Sequence, residues 1–241
     1  MKGALIMCAV SAAVNLVGWL ASRHIDRVGL PKRLHDRFVE RKPNALPPRM
    51  RRIMTNLIGQ HLMILIGFTL LEDHIPVAWP GLFTLAVQSV VLLLADDFGF
   101  YWGHRLMHRN RTLYRRVHKI HHEAYAPVPI EYFYNHPLEP FIGSIGLMPG
   151  LAAVYLIWGN VPLWTFMIYF LWRVGHELVI HSGAWLPTRH LPLVAPMRHH
   201  DLHHARPHAG NYGSTLLIWD RVFGTRVPDD RPAPAEARPT A

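Results

Sequence analysis

The chain has 241 residues, half of them hydrophobic and only 17% charged, against the roughly 25% usual in soluble domains. The net charge of +9 sits in two basic clusters beside apolar segments, with no base-reading motif, which argues against nucleic-acid binding. A single cysteine, Cys8, excludes disulfides within the chain and any cysteine-built zinc or iron–sulfur site, so a metal here is held by nitrogen and oxygen.

Residues 4–20 (ALIMCAVSAAVNLVGWL) form an apolar run long enough for a slightly short membrane span. A lysine before such a run also fits a signal peptide, but the SRHIDRVG that follows offers no small-residue cleavage site, so an anchor helix is expected. A second span is expected from Ile53 to Leu71 and a third from Leu82 to about Tyr101, after the breaker Trp79-Pro80-Gly81. Apolar runs from Phe141 to Trp158 and from Pro162 to Gly175, separated by three residues, read as a tight hairpin in the bilayer. The C-terminal RPAPAEARPTA has the composition of a disordered tail.

Orientation follows from charge. The segment 21–52 carries ten Lys and Arg residues, while 72–80 carries none and holds Glu72 and Asp73. By the positive-inside rule the first faces the cytosol, which brings every histidine-rich segment to the cytosolic side. The expected architecture is an all-α integral membrane bundle of about four to five membrane helices, with a cytosolic helical cap that carries the histidines.

Of 18 histidines, five lie between His104 and His122 and eight between His176 and His208. Asp97, Tyr101, His104 and His108 are separated by 4, 3 and 4, so on a helix they share a face. His118, His121 and His122 follow the same spacing rule, as do His200, His203 and His204. Neutral imidazoles at these spacings chelate metal, whereas as cations they repel each other. Eight or more imidazoles exceed the coordination of one ion, which points to two metals.

HRLMH, HKIHH, NHPLE, HSG, RHHDLHH and GNYGSTLLIWDRVFGT together resemble the fatty acid hydroxylase/sterol desaturase superfamily of membrane di-iron enzymes. The nearest likeness is to the C-4 methylsterol oxidases, and the resemblance covers about residues 90–226. It implies two iron ions, O2 as co-substrate, electrons from an external donor, and oxygen insertion into an unactivated C–H bond of a membrane lipid, such as a sterol-like C-4 methyl group. By motif, His104 and His108 match the first box, His118, His121 and His122 the second, and His200, His203 and His204 the third. His181 of the HSG segment matches a further position near the metals.

His176 and His181, five apart, point about 140° away from each other on a regular helix, so they do not both face one site unless the helix is broken. His176 and His136 therefore stand as further candidate ligands, His136 with a capping role as the alternative. His199 lies off the shared face of the third box. His24, His35, His61, His74, His190 and His208 read as surface or capping residues. A metal-bound imidazole usually donates its other N–H to a carboxylate, and Asp97, Asp201 and Glu139 are the candidates, with Asp220 in a neighbouring segment.

The chain divides into an N-terminal membrane helix (1–20), a basic cytosolic segment (21–52), the membrane di-iron hydroxylase domain (53–226) and the tail (227–241). No cytochrome-like or reductase segment is present, so a separate electron-transfer protein of ferredoxin or cytochrome type with its reductase is expected. Arg105, Arg109, Arg111, Arg115, Arg116 and Lys119 offer an acidic carrier a docking face, or anionic headgroups a binding one. A lipid desaturase with the same centre is the alternative within enzymes, and a membrane metal-binding or transport protein the alternative outside them.

Overall fold

The computed structural model describes residues 1–29, 44–184 and 197–228, and no β-strand occurs among them. Parts of the basic segment, including His35, and of the stretch that holds His190 lie outside the described residues, as does the tail from residue 229.

Helix α1 (Lys2–Val28) buries Ala4, Met7, Ser11, Asn15, Gly18, Ser22 and Ile25, a stripe repeating every three or four residues that is mostly small or polar. It lies against α2 (Met50–Leu70), and their seam is polar. Ser11 Oγ and Asn15 Nδ2 both donate to Gln60 Oε1, at 3.0 and 2.9 Å. Gln60, a polar intrusion in an apolar run, thus has its partners inside the bundle. One face of α2 looks outward, with Ile58, Leu62, Met63 and Ile66 all more than half exposed, while Ile53 is buried. An outer surface this apolar suits lipid and not water.

Helix α3 (Leu82–Arg109) is the longest element and continues well beyond the expected end near Tyr101, carrying His104 and His108 in its last two turns. Among the described residues, α1, α3 and the helix ending at Leu70 are long and apolar enough to cross a membrane. The protein is integral to the membrane. The expected run from Phe141 to Trp158 is broken into a short helix, Glu139–Gly143, and α4 (Leu147–Trp158). Pro149 explains the restart, because its ring clashes with the carbonyl four residues earlier and is tolerated only in a first turn. At 12 residues α4 is about 18 Å long, short of a roughly 30 Å hydrocarbon core. Its partner α5 (Leu163–Ile180) returns along α3 and ends at His181.

The break between Glu139–Gly143 and α4 presses against α3. A Cβ at Gly99 would stand 2.2 Å from Gly146 N, and one at Gly103 would stand 2.2 Å from Ile142 O. Only glycine lets these backbones meet, and that approach seats Glu139 beside the end of α3. Helix α6 (Met197–Ala205) buries seven of its nine residues, and the chain after it folds back over α3.

Candidate metal centre

Nine imidazoles converge into two groups. His104, His108, His118, His122 and His203 form one, and His121, His181, His200 and His204 the other. All nine are buried, and within each group the ligand nitrogens lie within 4.8 Å of one another.

Each HxxHH box is split between the two. The i,i+4 pair His118 and His122 joins the five-membered cluster, and His121 crosses to the four-membered one. The pair His200 and His204 builds the four-membered cluster, and His203 crosses the other way. The single shared face expected for each box is thus two faces. At 100° per residue, positions four apart differ by about 40° while neighbours differ by 100°, so the last histidine stays with the first and the one before it turns aside. In the second box this happens along a helix that changes pitch, with a π-helical turn at Tyr114–His118 followed by Lys119–His122.

In the five-membered cluster the Nε2 atoms of four histidines close a ring: His104–His118 3.0 Å, His118–His122 3.0 Å, His122–His108 3.3 Å and His108–His104 3.2 Å. Hydrogen bonds do not account for it. A neutral imidazole nitrogen either carries a proton or offers a lone pair, so at most two of the four edges can be satisfied. His104 contributes no proton at all. Its Nδ1 lies 2.7 Å from the Tyr212 carbonyl, which only accepts, so Nδ1 carries the proton and Nε2 is bare. His203 repeats this, with Nδ1 on the Gly210 carbonyl at 2.8 Å and a buried Nε2 that has no partner. In the second cluster His181 Nδ1 is tied to the Glu177 carbonyl at 2.7 Å, and its Nε2 lies 3.1 Å from His121 and 2.9 Å from His200. His204 follows at 3.1 Å from His200.

Converging bare lone pairs fit a cation. Imidazole nitrogens about 2.1 Å from one ion stand roughly 3.0–3.4 Å apart at right-angled or tetrahedral spacing, which matches these edges. The electrostatics agree: burial first, then the neighbouring imidazoles, push His118, His121, His122, His200 and His204 well below the usual histidine range. These rings stay neutral, the form that binds metal.

Carboxylates back the clusters unequally. Glu139 Oε1 lies 3.1 Å from His118 Nδ1 and 3.9 Å from His121 Nδ1, so one side chain touches both groups. Burial and the neighbouring Glu177 push its carboxyl well above the usual range. Asp97, expected beside an imidazole, instead accepts from Thr215 N at 3.0 Å, Leu216 N at 3.2 Å and Trp219 Nε1 at 2.7 Å. Seven residues along a helix is about 10 Å, too far for its carboxylate to reach His104. Asp201 is buried in α6. Asp220 receives His199 Nε2 at 3.0 Å, which accounts for the extra histidine of the third box. Burial pushes Asp220 up, but its hydrogen bonds outweigh that and hold it below the usual carboxylate value.

His176 and His136 stand outside both clusters. Helix α5 runs unbroken to Ile180, so His176 points away from His181 and its Nε2 meets the Ser214 carbonyl at 2.9 Å. His136 Nδ1 accepts from Leu138 N at 3.1 Å, a local turn bond. His61 bonds the Leu57 carbonyl and His74 packs on Tyr155, both far along the chain from the clusters.

A small cavity of about 40 Å³ opens between the clusters, lined by His104, His118, His121, His181 and His200 with Glu139, Glu177, Arg173, Tyr132 and Phe100. Arg173 bonds Asp96 through Nε at 2.9 Å, pairs with Glu177, and lies over the Phe100 ring at 4.7 Å. Sequence reasoning passed over this network. Its signal was an arginine and a glutamate four apart inside an apolar run, where a charge is costly unless paired.

The family model described as Fatty acid hydroxylase matches residues 89–225, the stretch that holds every cluster histidine. Very-long-chain aldehyde decarbonylase GL1-9 of Oryza sativa subsp. indica is 34% identical over 203 residues, covering 81% of this chain and 77% of that protein. Very-long-chain aldehyde decarbonylase GL1-11 of the same subspecies is 32% identical over 221 residues, covering 82% and 79%. Methylsterol monooxygenase 1 of Rattus norvegicus is 37% identical over 165 residues, covering 64% of this chain and 52% of that protein. No solved structure matches the chain. With nine buried imidazoles in two metal-competent clusters inside the matched stretch, this chain belongs to the fatty acid hydroxylase family.

Proposed function

We propose that the protein is a membrane-bound di-iron oxygenase that hydroxylates an unactivated C–H bond of a membrane lipid, with its histidine clusters on the cytosolic side. The observation that supports it above all others is the pair of imidazole clusters with inward-facing bare nitrogens, flanking one cavity at the end of a membrane helix. Imidazole nitrogen is a good donor set for iron. Two irons held there would supply activation of O2, with two electrons from a separate carrier and its reductase and two protons from solvent; one oxygen atom enters the C–H bond and the other leaves as water.

The chain's own part is to orient and to exclude. Main-chain carbonyls hold His104, His203 and His181 with Nε2 inward. Phe100 and Met107 give the cavity an apolar wall, and Arg173, the cation among the described residues that line it, is neutralised by Asp96 and Glu177. A volume near 40 Å³ suits a diatomic gas or a water molecule and not a lipid chain, so the reacting carbon reaches the cavity from the bilayer side only when its wall yields. Exposed Arg109, Arg111, Arg115, Arg116 and Lys119 offer the acidic face of the electron carrier its docking surface.

The decarbonylase relatives support a second reading at the level of substrate, a very-long-chain aldehyde in place of a methylsterol. Purified protein should carry two irons per chain and consume one of these lipids only with O2 and reductant, and lipid profiling of cells with and without the chain identifies which. His203→Ala should abolish turnover while membrane insertion persists. Full iron loading with no lipid turned over, together with metal uptake into proteoliposomes, would replace the oxygenase reading with a transporter.

A further inference from the structure

The two clusters differ in who holds their imidazoles. In the five-membered cluster, His104 and His203 come from α3 and α6, yet both are oriented by carbonyls of one stretch of irregular chain, those of Tyr212 and Gly210. The Ser214 carbonyl of the same stretch holds His176. A carbonyl has no side-chain identity, so what fixes the stretch fixes the cluster.

Asp220 fixes it. Its Oδ1 accepts from Tyr212 N at 2.9 Å and Thr225 Oγ1 at 2.7 Å, and its Oδ2 from Gly213 N at 2.7 Å and His199 Nε2 at 3.0 Å. Four donors converge on one fully buried carboxylate. The chain after Asp220 closes the loop from the other side: Asn211 N donates to the Thr225 carbonyl at 2.8 Å, and Val227 N to Asn211 Oδ1 at 2.7 Å. At Gly210, φ is 142°, and a Cβ would lie 2.1 Å from Thr225 O, so no other residue fits that closure.

We infer that Asp220 is the positioning residue of the five-imidazole cluster: by clamping residues 210–214 it sets the carbonyls that turn His104 and His203 inward. In the four-imidazole cluster His181 is oriented separately, by the Glu177 carbonyl of its own helix. This inference rests on the metal reading above and goes beyond it, because it assigns one carboxylate to one of two metal positions. Asparagine cannot replace it, as an amide presents a donor nitrogen where an oxygen must accept.

The test is cobalt(II) content of the full-length protein in detergent, a readout that needs no turnover. Wild type should bind two ions per chain, Asp220→Asn one, His181→Ala one, and the double variant none. Asp220→Asn retaining two ions overturns the inference, as does a double variant retaining one. Loss of both ions in a folded Asp220→Asn overturns it too, since a merely structural role weakens both sites alike. If Asp220→Asn does not fold, His199→Ala carries the test by removing a single donor from the carboxylate. It should weaken one of the two cobalt affinities by about tenfold and leave the other unchanged, within the range typical of groups that orient ligands. Equal weakening of both, or of neither, overturns the inference. A wild type that binds no cobalt sinks the metal reading itself and leaves a different signature from any of these.

Discussion

The five-imidazole and four-imidazole clusters are built from the same two boxes, yet they are held by different kinds of chain. The first is backed by main-chain carbonyls of a loop that lies beyond all the membrane helices, and its ring of nitrogens is closed. The second leans on α5 through the Glu177 carbonyl, forms an open row of nitrogens and lends three of its four rings to the cavity wall. A repeated sequence motif therefore does not make a repeated site. Each HxxHH supplies two imidazoles to one cluster and one to the other, so both boxes contribute to both clusters.

The sharpest way to break that picture is to separate histidines three apart in one box. His118→Ala should remove the ion of the five-membered cluster and His121→Ala that of the four-membered cluster, each leaving one metal per chain and no turnover. Metal analysis of each variant combined with His181→Ala decides it. His118→Ala with His181→Ala should hold none, whereas His121→Ala with His181→Ala should still hold one. The reverse pattern would mean that the boxes are not split as their geometry indicates.

Glu139 tests the same split, because its carboxylate lies beside both clusters, closer to His118 than to His121. Glu139→Ala should weaken metal binding by about 10–100-fold at the five-membered cluster and less at the four-membered one. Glu139→Gln keeps an oxygen able to accept from His118 Nδ1 and should lose less at both. Metal competition titrations with a chelator separate the two affinities; equal effects at both sites would make Glu139 a general packing residue.

Much of this was written in the sequence. The apolar runs located α1, α2 and α3, and the histidine spacings named the nine residues that converge. Pro149, visible in the sequence, marks where the fourth run breaks. What spacing could not deliver is the sorting of histidines between clusters, since that depends on how α6 and the second box face each other across the fold. Asp97 misled for a related reason: it shares a face with His104, but a shared face says nothing about distance along the axis. The carbonyls of Gly210 and Tyr212 left no trace as ligand-orienting groups, because main-chain atoms carry no residue identity. Their only signal was indirect, a Gly-Asn-Tyr-Gly stretch followed by a buried aspartate.

The mildest perturbation is a change of pH in the metal-free protein, with no substitution at all. Burial, followed by crowding with other imidazoles, holds His118, His121, His122, His200, His203 and His204 well below the usual value, so the folded chain resists taking up protons there. The unfolded chain protonates the same groups near pH 6.5. The sign follows: this contribution to stability is complete above about pH 6.5, and it declines as the pH falls from there toward the depressed folded values. Thermal unfolding of the metal-free protein in detergent should therefore give a lower midpoint at pH 5 than at pH 8. Bound metal should raise the midpoint at pH 8, where the lone pairs are free, and raise it less at pH 5, where protons compete for the same nitrogens. An unchanged midpoint between pH 8 and pH 5 without metal would mean that the empty clusters open and hydrate, taking up protons as readily as the unfolded chain does.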